Sequence, residues 1–176
     1  MNPVAEAIPK HFLYPCRIFV HQEAYYVHTL LGSCVSVCLC DQKRACGGMN
    51  HYMLPLWNGE GLATPKYGNI AIENLVERML SLGCNKKDLV AKVFGGANVT
   101  WRDSGPYNVG ERNIIVANEH LGHHKIPIIA METGGDRGFK IIFHTRKGLV
   151  YVKRLARTGS GQPPLPDGHP PLIPEP

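Results

Sequence analysis

The stretch Tyr25-Tyr26-Val27-His28-Thr29-Leu30-Leu31-Gly32-Ser33-Cys34-Val35-Ser36-Val37-Cys38-Leu39-Cys40 decides how this chain folds. Residues 25–31 and 35–40 are rich in β-branched and aromatic side chains, which suit a pleated surface, so each predicts a strand. Only Gly32, Ser33 and Cys34 separate them. A glycine at that point lets the backbone turn tightly and lets another group come close. Upstream, RIFV (17–20) predicts a further strand. Downstream, GGMNHYML (47–54) follows the turn-like DQKRA (41–45), so it is expected to return beside 35–40 as a hairpin.

Farther along the chain the period changes. In NIAIENLVERMLSLG (69–83) the residues Ile72, Leu75, Val76, Met79 and Leu82 recur at helical spacing, and Gly83 supplies the stop. LVAKVFGG (89–96) predicts a buried strand, RNIIVANEHLG (112–122) a second helix, and IPIIAME (126–132) another strand. FKIIFHT (139–145) and GLVYVKRL (148–155) predict a closing hairpin across Arg146-Lys147. Strands interleaved with two helices imply an α/β fold: a layered α/β sandwich, with a mixed sheet under helical cover.

The chain has 176 residues, 44% hydrophobic and 19% charged, which is a globular composition and room for one ordinary domain. That domain is expected over 1–158, with its core at about 17–155. Residues 159–176, GSGQPPLPDGHPPLIPEP, hold seven of the 14 prolines and predict an extended or disordered tail. No apolar run approaches the roughly 18 residues of a membrane span. The first residues, MNPVAEAIPKHF, carry no apolar core after their charges and predict no signal peptide, hence a cytoplasmic protein. Six cysteines in a chain of this kind are expected as free thiols. The formal charge of +5 is mild and scattered, and by itself it selects neither nucleic acid nor an acidic protein as partner.

Cys34 comes straight after the Gly-Ser turn, where it can face a cleft and receive backbone N–H groups that favour a thiolate and later hold an oxyanion. Read locally, a small buried hydrophobe is the better account, since free cysteine is among the most buried residue types. Cys38, Cys40 and Cys84 fit that account more strongly still. Among nine histidines, His51 differs in context. It lies in an otherwise apolar strand between Met49 and Met53, and the expected hairpin carries it towards Cys34, where it can serve as base. A core histidine bonded to a backbone carbonyl is the alternative. A zinc site is not expected, because Cys38 and Cys40 on one strand face stand about 7 Å apart without a second cysteine pair. FGGAN (94–98) and TGGDRG (133–138) match no phosphate-binding pattern and are expected as tight turns.

The segments LGSCVSVCLCD, GGMNHYMLP, KYGNIAIENLVERML, AKVFGGAN, VGERN and ETGGDRG, in this order, closely resemble the CheD family of chemoreceptor glutamine deamidases. The resemblance covers roughly residues 17–155. It implies hydrolysis of glutamine side-chain amides on the cytoplasmic domains of methyl-accepting chemotaxis receptors, with release of ammonia. It also implies Cys34 as nucleophile, His51 as base and Thr29 as the third site residue. A one-residue shift seen in some relatives would put His28 in that third place. No cofactor or metal is implied, and neither nucleic-acid binding nor membrane insertion. The phosphatase CheC is an expected second partner, and the implied fold is the layered one shared with the deamidase domains of bacterial necrotizing toxins.

Overall fold

The computed structural model describes residues 7–99 and 108–156; the tail expected at 159–176 lies outside them. In chain order the strands are β1 (Lys10–Phe12), β2 (Arg17–His21), β3 (Tyr26–Leu31), β4 (Val35–Asp41) and β5 (Cys46–His51). Helix α1 (Gly68–Ser81), β6 (Leu89–Gly95), α2 (Val109–His123), β7 (Ile128–Thr133), β8 (Phe139–His144) and β9 (Leu149–Arg154) follow. The strands foreseen on either side of Gly32-Ser33-Cys34 both form, yet they do not pair. They enter different sheets, a four-stranded one ordered β1-β3-β8-β9 and a five-stranded one ordered β2-β5-β4-β6-β7. Both are mixed, since β1 runs parallel to β3 and β7 parallel to β6.

Two apolar cores explain the layering. β4 is buried along its whole length. Its Val35, Val37 and Leu39 pack with Ile72, Leu75, Met79, Val116 and Leu121 from the two helices. Cys38 and Cys40, pointing the other way, pack with Val27, Leu31, Phe139, Ile141 and Phe143 of the four-stranded sheet. The order is therefore helices, five-stranded sheet, four-stranded sheet. Alternation within a strand announces its faces but not which sheet it joins, so the division into two sheets is a tertiary outcome.

The foreseen hairpin of β4 and β5 is antiparallel, with Cys38 opposite Met49 and Asp41 opposite Cys46. Helix α1 ends as its sequence indicates: Gly83 takes φ +85°, and Cys84 N–H reaches the Met79 carbonyl at 3.2 Å. Helix α2 starts three residues earlier than its apolar pattern suggested. Asn108 Oδ1 accepts from the Glu111 N–H at 2.9 Å and caps it. Its first turn contains Gly110, where a Cβ would stand 2.5 Å from the Gly96 carbonyl oxygen. That contact presses the start of α2 against the end of β6.

Leu75 is fully buried between α1 and β4. Leu75→Ala is expected to lower unfolding stability by about 2–5 kcal/mol, read by denaturant titration.

Candidate active site

Thr29 sits on the inward face of β3, between the buried Val27 and Leu31, and His51 ends β5 two residues beyond buried Met49. They meet between the sheets, with Thr29 Oγ1 2.9 Å from His51 Nδ1. The single hydroxyl proton of Thr29 is committed, because Oγ1 donates to the Leu13 carbonyl at 2.7 Å. Oγ1 therefore accepts from Nδ1–H. The Thr29 contact therefore places the ring proton on Nδ1. Nε2 keeps its lone pair, and no hydrogen-bond partner reaches it among the described residues. Burial pushes the His51 pKa down from 6.5 to about 4, against a smaller upward pull from Leu13. At neutral pH the ring is a neutral imidazole with a free lone pair.

His28, the other candidate for the third place, projects from the opposite face of β3. Its ring meets Phe12 edge-on at 5.2 Å, and it lines an outward cavity of about 410 Å³ with Lys10, Tyr26, Lys140, Ile142 and Tyr151. Thr29, not His28, reaches His51.

Cys34 and His51 are brought together by the continuation of the β4–β5 ladder. Val35 N–H donates to the Tyr52 carbonyl at 3.1 Å, and Tyr52 N–H to the Val35 carbonyl at 3.0 Å. In this register Cys34 stands opposite Met53, diagonal to His51 and on the same face, facing the other sheet. Such diagonal neighbours lie roughly 7–8 Å apart at Cα and closer at Cβ. Cys34 is half-buried, and burial raises its thiol pKa; the nearby Cys16 adds to the rise, while the N–H of Cys34 itself lowers it. Cys16 Sγ lies 3.5 Å from Met53 Sδ. Neither member of the pair is ionised at rest.

Three consecutive carbonyls around Cys34 are held by donors from elsewhere. Gly32 O accepts from Ala97 N–H at 2.8 Å, Ser33 O from Asn113 Nδ2 at 2.9 Å, and Cys34 O from Gly96 N–H at 2.8 Å. Gly95, at φ +107°, makes this possible, since a Cβ there would stand 2.2 Å from the Cys34 oxygen. The TGGDRG turn backs the arrangement, with Gly134 N–H on Gly95 O at 2.9 Å. Arg154 of β9 ties that turn down, donating to Gly134 O at 2.8 Å and Glu132 Oε1 at 3.0 Å. Both glycine motifs are thus turns, as the sequence suggested, stacked behind Cys34.

Sequence reasoning missed Leu13, Cys16 and Asn113. Leu13 acts through its carbonyl, so no side-chain signal marks it, and Cys16 gains meaning only from the fold. Asn113 stood within VGERN without an assigned role. Cys38 and Cys40 are buried small hydrophobes whose thiols are pushed up by burial. His124 pairs with Glu73 at 2.9 Å. Among the described residues no cluster of three or more His, Cys, Asp or Glu side chains could hold a metal ion, and no helix is long and apolar enough to cross a membrane.

A cysteine and a neutral, oriented histidine on one face, beside a pinned backbone turn, are the parts that cysteine-based acyl transfer uses. The family model described as CheD chemotactic sensory transduction matches residues 53–154. The probable chemoreceptor glutamine deamidase CheD of Trichlorobacter lovleyi is 52% identical over 147 residues, covering 84% of this chain and 91% of that protein. The protein of the same description from Sulfurimonas denitrificans is 45% identical, covering 85% and 96%. The chain belongs to the CheD family. A solved structure, the Bacillus licheniformis hypothetical protein YfiH, overlaps 65% of this chain and 51% of its own with a TM-score of 0.42 at 15% identity, too distant to carry an argument.

Two measurements check the electrostatics. Iodoacetamide alkylation of Cys34, followed by mass spectrometry, is expected to climb from about pH 6 to about pH 9 without a plateau near neutrality. A plateau by about pH 7 would reveal a preformed thiolate. The folded pKa of His51 lies below its ordinary 6.5, so the unfolded chain takes up the proton first as pH falls. This contribution to stability is present above pH 6.5 and lost between 6.5 and about 4. His51→Gln is expected to flatten that part of the Tm-against-pH curve.

Proposed function

We propose that this chain is a protein-glutamine deamidase acting on chemotaxis receptors, with Cys34 as nucleophile, His51 as general acid–base and Thr29 as the residue that orients His51. The observation that carries the reading is the Nε2 of a buried neutral histidine, without a partner among the described residues and on the same sheet face as Cys34. The names of the relatives, chemoreceptor glutamine deamidases, support the substrate class.

In the proposed reaction His51 Nε2 takes the Cys34 thiol proton as Sγ attacks the side-chain amide carbon of glutamine. The tetrahedral intermediate collapses, the C–N bond breaks, and the imidazolium returns the proton to the departing ammonia. Water, deprotonated by the same Nε2, then attacks the thioester, freeing the thiol and leaving glutamate. A neutral resting pair suits this order. The base is ready at physiological pH, and the thiol loses its proton only as an electrophile arrives. On the same family resemblance we propose a CheC-type phosphatase as a second protein partner.

Incubation with the cytoplasmic fragment of a chemotaxis receptor, read by mass spectrometry for Gln-to-Glu conversion, tests the reading. Conversion is expected with the wild type and absent with Cys34→Ala; conversion that survives in Cys34→Ala sinks it. Thr29→Val removes the acceptor for Nδ1–H, and kcat is expected to fall on the order of 10-fold or more, with Thr29→Ser recovering most of the loss. An unchanged kcat in Thr29→Val would remove Thr29 from the site.

A further inference from the structure

Asn113 is fully buried at the second turn of α2, yet its carboxamide is spent on two carbonyls of another layer. Nδ2 donates to Ser33 O and to Met53 O, both at 2.9 Å. Ser33 precedes Cys34, and Met53 stands opposite it. One side chain therefore grips the backbone on both sides of the proposed nucleophile. The backbone carbonyl of Asn113 is anchored in turn by the Tyr52 hydroxyl at 2.7 Å.

What the grip fixes follows from peptide geometry. The Ser33 carbonyl and the Cys34 N–H belong to one planar peptide, and no cis peptide occurs among the described residues, so the two point in opposite directions. Holding the carbonyl aims the N–H. The Gly32 and Cys34 carbonyls are held separately by Ala97 and Gly96, and the Cys34 N–H donates to no carbonyl among the described residues. Its dipole lowers the Cys34 thiol pKa. A backbone N–H on the proposed nucleophile, held by no carbonyl among the described residues, is available to meet charge that develops on an acyl oxygen. A hydrogen bond to the carbonyl of a peptide also polarises its N–H and makes it a stronger donor.

We propose that Asn113 is a positioning residue for the oxyanion: through the Ser33 carbonyl it orients the Cys34 N–H towards the oxygen of a tetrahedral intermediate formed at Cys34 Sγ. The proposal rests on the reading of Cys34 as nucleophile, but its test does not need a receptor. Two reagents separate the step that builds an oxyanion from one that does not. p-Nitrophenyl acetate acylates a thiol through a tetrahedral oxyanion, with the S–C bond forming and p-nitrophenolate leaving. Iodoacetamide alkylates by displacing iodide at a saturated carbon, and no oxyanion forms.

Both rates are read at Cys34 by peptide mass spectrometry on the full chain. In Asn113→Ala, acylation is expected to fall on the order of 10-fold, less than the roughly 100-fold or more from deleting an oxyanion donor outright, while alkylation changes less than about 2-fold. Equal falls in both rates would mean that Asn113 merely holds the loop in shape, and no fall in acylation would overturn the proposal. Tyr52→Phe, which keeps the ring and loses only the hydroxyl that anchors Asn113, gives the same comparison should Asn113→Ala fold poorly. It is expected to shift the acylation-to-alkylation ratio the same way by a smaller factor, and an unchanged ratio counts against the proposal. Failure of receptor deamidation with the ratio effect intact would instead fault the substrate assignment alone.

Discussion

Between the two sheets, where Val27, Leu31, Met49, Phe139 and Phe143 exclude water, Thr29 of one sheet bonds His51 of the other. A polar group in that layer has no water to fall back on, so leaving it unpaired costs about 1–3 kcal/mol. The pairing of Thr29 with Leu13 O and His51 Nδ1 meets this requirement and sets the relative position of the two sheets at one point. It also decides the tautomer of His51. Only Nε2 is left without a partner among the described residues, and it lies on the face that Cys34 shares. Sheet packing and the proposed chemistry thus hang on the same hydrogen bond.

Burial has opposite effects on the two proposed catalytic groups, and both favour neutrality. Desolvation penalises the thiolate at Cys34 and the imidazolium at His51, so one pKa rises and the other falls. An ion pair at rest would need a compensating charge, and none of the resolved influences on either group comes from a neighbouring cation. The proposed nucleophile keeps its proton until an electrophile is bound. Cys16, whose sulfur touches Met53, adds to the rise in the Cys34 pKa.

The Gly32-Ser33-Cys34 turn is shaped by parts far apart in the chain. Ala97 and Gly96 come from the end of β6, Asn113 from α2, and the loop behind them is held by Arg154 of β9. Each contact is with a backbone carbonyl, so the turn is defined less by its own side chains than by the donors around it. Gly95 and Gly110 are where the elements approach too closely for a Cβ.

Much of this was legible in the chain itself. Runs rich in β-branched and apolar residues between turn signals announced β2 to β9, and helical spacing announced both helices, because burial on one face of a helix writes itself into the spacing of apolar residues. The context of Cys34 after Gly-Ser, and of His51 among methionines, marked both as candidates, and the order of the motifs carried the family. Tertiary structure decided what depends on contacts between distant segments: that β3 and β4 part into two sheets, that Thr29 rather than His28 faces His51, and that the Leu13 carbonyl and Asn113 belong to the site. Strand pattern tells which side chains share a face, but not which face they will meet. A backbone carbonyl carries no residue-type signal at all.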